Sequence, residues 1–216
     1  MNNKFVYIGL TADSIHHGHI NLIENAKKYG EIIIGLLTDK AVSDYKRLPL
    51  LSYEQRKKIL MNIKGVNKVV AQNEWDYSLN IKKYKPKYMI HGNDWLVGPM
   101  SNVRQNVIKE LKKFGGKLIE IPYTKGISST ALSNEQNKKF TTPELRLKNL
   151  KRLLEVKNFI RIIETHSPIS ALIAENLILK TKNRTKEFDG FWSSSLTDST
   201  RMGKPDIEFL NLSERL

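Results

Sequence analysis

The segment Phe5–His19 reads FVYIGLTADSIHHGH, and it decides the fold of the first part of the chain. Its first six residues are an apolar run typical of a buried strand, and apolar residues at helical spacing follow the histidines. Three of the five histidines in the chain stand within residues 16–19. Gly18 lies among them and has no side chain to keep a ligand away from the backbone. A strand, such a loop and then a helix predict an anion site at a helix N-terminus.

Strand and helix patterns alternate from this segment to residue 121. The predicted strands cover 5–10, 31–37, 67–71, 87–91 and 117–121, and the predicted helices cover 17–29, 53–64 (with Ser52 as N-cap), 77–84 and 103–114. This alternation predicts an α/β fold, a Rossmann-like open parallel sheet with helices on both faces. Ligands bind such sheets at the carboxyl ends of the strands. We therefore expect the histidine loop, segment 91–95 and segment 126–130 to meet at one edge.

The composition narrows the range of possible functions. The chain has 216 residues, no cysteine and a net charge of +14. Without cysteine it has no disulfide, no thiolate metal site and no thiol nucleophile. No apolar run approaches a membrane span and the N-terminus lacks a signal-peptide core, so we expect a cytoplasmic protein with no membrane partner. Aromatic residues are not interleaved with the basic ones, so we do not expect nucleic acid as a partner. The positive charge is either a solvated surface or an attraction for small polyanions.

A polar stretch divides the chain. We predict a first domain over residues 1–133, a linker over 134–142 and a further segment over 143–216. That segment, called the tail below, has predicted helices over 143–157 and 168–179 and predicted strands over 159–164 and 188–192. Two short strands cannot build a complete sheet of their own. The tail therefore either packs on the first domain or begins a larger one.

The spacing of the histidines suggests phosphoryl chemistry. His16 and His19 are three residues apart at the start of a helix, so both rings can point at a phosphate over the helix N-terminus. As hydrogen-bond donors they would stabilise the charge that develops on an α-phosphoryl oxygen during nucleotidyl transfer. The alternative is a pair of capping or surface histidines. The segment GISST at 126–130 offers a second anion site, or only a helix N-cap.

These motifs together make residues 5–133 resemble the cytidylyltransferase family of the nucleotidyltransferase superfamily. The resemblance extends to the enzymes for glycerol 3-phosphate and choline phosphate and to their phosphonate-specific relatives. The residues that carry it are TADSIHHGH at 11–19, Lys46, SYEQR at 52–56, Trp75, GNDW at 92–95 and GISST at 126–130.

The resemblance implies a role for each matching residue. The implied catalytic residues are His16, His19 and Lys46, with Lys46 reaching the α-phosphate and the acceptor, and His17 only a spacer. The implied nucleotide-binding residues are Thr11, Asp13, Gly18, Asp94, Ser128, Ser129 and Thr130. Trp75 would either line the acceptor pocket or be a core residue. Arg56 would either line the acceptor pocket or only brace the site. The Mg²⁺ cofactor would be held mainly by the triphosphate of CTP and not by protein side chains. A homo-oligomer, a dimer or higher, is also implied.

The chain departs from the family at two positions. Leu10 stands where the family has glycine before the threonine. Tyr123 stands where the glycerol-phosphate enzymes carry arginine, which argues against glycerol 3-phosphate as acceptor unless Lys125 compensates.

The tail resembles a second family. Residues 147–206 resemble the start of phosphoenolpyruvate mutase in the isocitrate lyase superfamily, on ETHSPISA at 164–171, DGFW at 189–192, SSSL at 193–196 and GKPD at 203–206. This implies an incomplete start of a (β/α) barrel domain. The implied mutase-like residues are Trp192, Ser194, Ser195, Leu196 and Asp206. The acidic Mg²⁺ cluster of that family would come after Leu216, so we expect no mutase activity from this chain.

The predicted function is CMP transfer from CTP to a phosphonate, with release of pyrophosphate. The expected acceptor is 2-aminoethylphosphonate or 2-hydroxyethylphosphonate, because the mutase makes the carbon–phosphorus bond of phosphonates. The alternatives are a phospho-alcohol acceptor, mutase activity as the main activity of a longer parent protein, adenylyl transfer from ATP, and a nucleotide-binding module without turnover.

Overall fold

Five parallel strands form the central sheet of the protein. The computed structural model describes residues 5–45, 47–96, 100–122, 142–180 and 185–207. The strands are β1 Phe5–Leu10, β2 Glu31–Leu37, β3 Val66–Gln72, β4 Tyr88–Gly92 and β5 Lys117–Ile121. Their order is β3-β2-β1-β4-β5, and β1 pairs with both β2 and β4. The strand order reverses between β1 and β4, and the crevice at their carboxyl ends is where such sheets bind ligands.

Helices cover both faces of this sheet, which confirms the predicted α/β fold. They are α1 His17–Ala26, α2 Asp39–Ser43, α3 Tyr53–Met61, α4 Ser78–Tyr84 and α5 Ser101–Lys112, with a 3₁₀ turn at Asn93–Trp95. Alternate residues of β1 enter different cores: Val6 and Ile8 pack with residues of α1 and α3, and Tyr7 packs with residues of α4 and α5. Full burial of one such side chain stabilises the fold by about 1.5–3 kcal/mol.

The helices differ from the sequence prediction mainly at their ends. Helix α3 stops at Met61 and not at Lys64, because the Asn62 N–H turns back to the carbonyls of Ile59 and Leu60 and tightens the last turn. Helix α2 was not predicted, since five residues are too few to show a helical period. Its N-cap is Thr38, whose hydroxyl accepts from the Ala41 N–H.

The tail contains a parallel pair of short strands. Its elements are α6 Pro143–Val156, β6 Ile162–Glu164, α7 Pro168–Asn176, β7 Leu179–Lys180, β8 Thr185–Lys186, β9 Gly190–Trp192 and α8 Ser195–Arg201. Strand β6 pairs parallel with β9, while β7 and β8 form an antiparallel pair that was not predicted. The start of a barrel and the domain boundaries stay predictions, and linker residues 134–141 lie outside the described residues. Among the described helices, none is long and apolar enough to cross a bilayer.

Candidate active site

The histidine loop follows β1 and lies at the reversal of strand order. His16 is the N-cap of α1, and its Nδ1 accepts from the Gly18 N–H at 3.1 Å. The His16 N–H in turn donates to Nδ1 of His19 at 3.3 Å. This is a reciprocal capping box made by two histidines. Because both rings use Nδ1 as an acceptor, the neutral rings carry their proton on Nε2.

This arrangement sets two imidazole donors side by side at a helix N-terminus. The ring centroids of His16 and His19 are 4.1 Å apart. Partial burial, with a smaller contribution from the neighbouring His17, lowers the pKa of His16 below its ordinary value. His16 is therefore neutral near pH 7 and acts through its N–H, not through a fixed charge. The site can donate hydrogen bonds to a phosphoryl group at the positive end of the α1 dipole.

The backbone between β1 and the histidines is strained and firmly held. Ala12 is buried with φ 53°, a left-handed conformation that is uncommon for alanine. Such strain persists where surrounding contacts fix it. The Thr11 carbonyl accepts from Arg56, and the Asp13 carboxylate accepts from the Leu50 N–H at 2.7 Å. Asp13 thus ties the histidine loop to the loop before α3.

Leu10 stands where the family has glycine, and its side chain packs into the core beneath the histidine loop.

Arg56 is buried under this site. Its side chain donates to the carbonyls of Leu51 at 3.2 Å, Leu37 at 2.9 Å and Thr11, and to Asp39 at 2.7 Å. The residue is 1% exposed. These bonds join the ends of β1 and β2 to the loop before α3. They favour the bracing role of Arg56 over contact with an acceptor.

Tyr45 connects two of the predicted site residues. Its hydroxyl lies 3.0 Å from the Thr11 hydroxyl, and its ring packs against Trp75. Burial raises the pKa of Tyr45, so the phenol stays neutral. Trp75 is half-buried against Leu37 and its neighbours. Its indole Nε1 has no hydrogen-bond partner among the described residues. Sequence reasoning missed Tyr45, because tyrosine in a short loop gives no pattern of its own.

The turn after β4 is fixed on the neighbouring strand. His91 stacks on Trp95, with ring centroids 3.7 Å apart and planes 9° from parallel. Trp95 Nε1 donates to Glu120 at 2.7 Å, and Arg104 donates to both oxygens of that carboxylate. The Arg104 guanidinium lowers the pKa of Glu120 and keeps it ionised. The 3₁₀ turn that contains Asp94 is thereby anchored at the carboxyl end of β4. The signal for Glu120 was a charged residue inside an apolar strand.

Several predicted residues lie outside the described residues. They are Lys46, Ser128, Ser129 and Thr130, together with Tyr123 and Lys125. Their roles stay predictions. The residues on either side of Lys46 are described: Tyr45 contacts Thr11, and Arg47 pairs with the tail.

The mutase-like residues follow one another at the end of β9. Trp192 is the last residue of that strand, Ser194 is the N-cap of α8, and Ser195 and Leu196 begin the helix. Asp206 is exposed in a turn beyond α8. Within the ranges that the structure describes, no group of three histidine, aspartate or glutamate residues is placed to hold a metal ion.

Comparison with known proteins shows the family of the chain. Residues 7–135 match the family model described as cytidylyltransferase-like. A glycerol-3-phosphate cytidylyltransferase from Bacillus spizizenii is 32% identical over 127 residues, which cover 58% of this chain and 91% of that protein. The ethanolamine-phosphate cytidylyltransferase of Mus musculus is 30% identical over 56% of this chain and 29% of its own length.

A solved structure, a lipopolysaccharide core biosynthesis protein from Thermoplasma volcanium, aligns with 57% of this chain and 98% of that chain at a TM-score of 0.47 and 19% identity. The family match covers more than half of this chain and contains the histidine loop. The chain belongs to the cytidylyltransferase-like family and is an enzyme of the nucleotidyltransferase type.

Proposed function

We propose that this protein transfers CMP from CTP to a small acceptor that carries a phosphate or phosphonate group. An acceptor oxygen attacks the α-phosphorus in line, the bond from this phosphorus to the α–β bridging oxygen breaks, and pyrophosphate leaves with that oxygen. The observation that carries the proposal is the histidine pair His16 and His19. Its two Nε2–H donors suit the α-phosphoryl oxygens, where negative charge develops in the transition state.

The other residues of the site hold and orient the nucleotide in this proposal. Lys46 supplies a cation at the α-phosphate and the acceptor. Gly18 and the α1 N-terminus receive the phosphates. The remaining nucleotide contacts are Thr11, Asp13, Asp94, Ser128, Ser129 and Thr130. Asp13 accepts from the Leu50 N–H, so it also shapes the loop. Mg²⁺ fits this site as a partner of the triphosphate, where it would neutralise charge on the leaving pyrophosphate.

The proposed acceptor is a phosphonate, 2-aminoethylphosphonate or 2-hydroxyethylphosphonate. The names of the relatives, glycerol-3-phosphate and ethanolamine-phosphate cytidylyltransferase, support a short organic molecule that ends in a phosphoryl group as the broader class. The tail's resemblance to phosphoenolpyruvate mutase supports the phosphonate within this class, because that chemistry supplies carbon–phosphorus bonds.

A panel of acceptors tests both the proposed transfer of CMP and the proposed phosphonate acceptor. The 216-residue chain is incubated with CTP, Mg²⁺ and one acceptor at a time, and pyrophosphate is measured. The panel contains both phosphonates, glycerol 3-phosphate, ethanolamine phosphate and choline phosphate. We expect kcat/KM for a phosphonate to exceed that of every phosphate ester by about tenfold or more. If a phosphate ester is the best acceptor, the proposal of a phosphonate acceptor is overturned. If no acceptor gives pyrophosphate but calorimetry still detects CTP binding, the protein is a nucleotide-binding module and not a transferase. ATP in place of CTP tests adenylyl transfer.

We further propose that the tail is the first part of a mutase-like (β/α) domain. Strands β6 and β9 are parallel and α7 lies between them in the chain, as in a βα repeat. Large apolar side chains of the tail are exposed, among them Ile169 at 72% and Leu172 at 64%. Apolar surface of this kind fits packing against further βα units. The test is to read the coding sequence that follows residue 216. Further βα repeats with an acidic cluster would support the proposal, and a stop codon directly after Leu216 would overturn it.

A further inference from the structure

One arginine of the tail forms hydrogen bonds with a loop of the first domain. Arg152, in α6, donates from Nη1 to the carbonyls of Pro49 at 2.9 Å and Leu50 at 3.1 Å. Its Nη2 donates to the Leu51 carbonyl at 3.4 Å and to the Asp39 carboxylate at 3.0 Å. A single guanidinium thus binds three successive carbonyls and one carboxylate. The planar guanidinium of arginine has several N–H donors in fixed directions, so it can donate to all four acceptors at once, which lysine cannot do.

Asp39 extends this contact to the histidine loop. Its Oδ1 accepts from Arg56 at 2.7 Å, and its Oδ2 accepts from Arg152 at 3.0 Å. Arg56 also donates to the Thr11 carbonyl. A continuous chain of charge-assisted hydrogen bonds therefore runs from the tail, through Asp39 and Arg56, to the loop that carries the histidines. Bonds of this class are about twice as strong as neutral ones.

The same loop has a second link to the tail. Arg47 pairs with Glu175 at 2.9 Å and with Glu187 at 3.1 Å. The Arg47 side chain is 49% exposed, and ion pairs so accessible to water contribute little. The Arg152 side chain is 18% exposed and makes four bonds. Arg152 is therefore the dominant link, and Arg47 is the lesser one.

We propose that Arg152 is a positioning residue for nucleotidyl transfer. It holds loop 47–51, whose Leu50 N–H donates to Asp13, and through Asp39 and Arg56 it holds the Thr11 carbonyl. Both contacts fix the loop that carries His16 and His19. The proposal rests on the proposed function, in which these two histidines act at the α-phosphate, and Arg152 itself touches no substrate. Arg152 lies beyond residues 7–135, the part that matches the family. In this protein the tail thus completes the transferase site.

The first test separates binding from chemistry. Arg152→Gln removes the fork in the full chain, and Lys151→Gln changes the exposed neighbour on the same helix as a control. We expect kcat for pyrophosphate release to fall by about 10- to 100-fold in Arg152→Gln, as for a reacting group displaced by an ångström. KM for CTP should change by less than about threefold, because the lost contact acts in the transition state. Lys151→Gln should keep the wild-type kcat. An unchanged kcat in folded Arg152→Gln would overturn the proposal.

A double-mutant cycle with Asp39→Asn tests whether Arg152 acts through that carboxylate. If it does, adding Arg152→Gln to Asp39→Asn should lower kcat by less than it does in the wild-type chain, since coupled residues are not additive. Equal losses in both backgrounds would overturn the proposal. Should Arg152→Gln fail to fold, Arg152→Lys replaces it, since lysine keeps the charge but not the fork. A wild-type chain without transfer to any acceptor would refute the proposed function itself, whereas an active chain indifferent to Arg152 would refute the positioning alone.

Discussion

At the scale of single residues, the tautomer of two histidines governs the proposed chemistry. Nδ1 of His16 and Nδ1 of His19 both accept from backbone N–H groups, so each ring carries its proton on Nε2. The same contacts that begin helix α1 therefore orient the donors of the site. Folding and the proposed function use opposite sides of the same rings.

Replacing either histidine should lower the rate of the proposed transfer. We expect His16→Ala and His19→Ala each to reduce kcat by about 10²- to 10³-fold, the scale for losing one donor at a developing charge. His17→Ala is the matched control, because His17 is exposed and stands between the two. Pyrophosphate release measures all three variants at one saturating CTP concentration. A loss in His17→Ala as large as in the others would contradict the assignment.

The pH profile should report the lowered pKa of His16. Protonated Nδ1 cannot accept from the Gly18 N–H, so the capped, active form is the neutral ring. Because the pKa of His16 is depressed in the folded protein, this form persists through the ordinary histidine pKa and is lost only at lower pH. The acid limb of kcat/KM, which reports the ligand-free enzyme, should therefore have its midpoint below about 6.5. A midpoint above that value, or a ring NMR titration of His16 at or above it, would disprove the assignment.

At the scale of elements, the ends of β1 and β2 depend on one buried side chain. Arg56 in α3 reaches back to carbonyls at both strand ends and to Asp39 at the start of α2. None of these partners is close to it in sequence. A helix residue thus holds the strand ends where the sheet binds its ligand.

Removing this side chain should destabilise the fold. We expect Arg56→Met to lower the free energy of unfolding by about 3–5 kcal/mol, because it leaves buried carbonyls and part of a buried carboxylate without a donor. Lys58→Gln, on the exposed side of the same helix, should change stability by less than about 0.5 kcal/mol. Urea unfolding followed by circular dichroism provides the measurement. Equal stability of Arg56→Met and wild type would show that these bonds do not hold the strand ends.

The elements were predictable to different degrees. Strands β1, β2 and β5 have the predicted bounds, because a short segment rich in isoleucine, leucine and valine, bounded by glycine or polar residues, is a local property of the chain. The cap at Ser52 was predictable as well, since Ser52 and Gln55 form a capping box. The anchor from Trp95 to Glu120 and Arg104 was not, because it joins residues on three separate elements.

At the scale of the whole molecule, the tail and the first domain meet at the loop before α3. Asp39 and Arg152 are 113 positions apart, yet they form an ion pair. The charge of the chain is also unbalanced, since it carries 36 lysines and arginines against 22 acidic residues. A surface of this sign attracts anions, and both CTP and the acceptor of the proposed reaction are anions.

Added salt should therefore weaken the binding of CTP more than it slows the transfer step. We expect KM for CTP to rise by about three- to tenfold between about 0.01 M and 0.3 M NaCl, as the Debye length shortens. The value of kcat should stay nearly constant, because the groups around the α-phosphate lie within contact distance. Sucrose at matched osmolality is the control. A KM independent of salt would show that the positive charge is not directed at the substrate.

The sequence by itself determined the α/β class, the parallel strands and the loop with His16 and His19. These follow from apolar periods, caps and motifs that span only a few residues each. Only the tertiary structure decided that Asp39 joins Arg56 to Arg152, and that the tail holds the loop before α3. The physical reason is that such pairs depend on strand order and on the packing of distant helices. Folding alone brings their charges within hydrogen-bond distance.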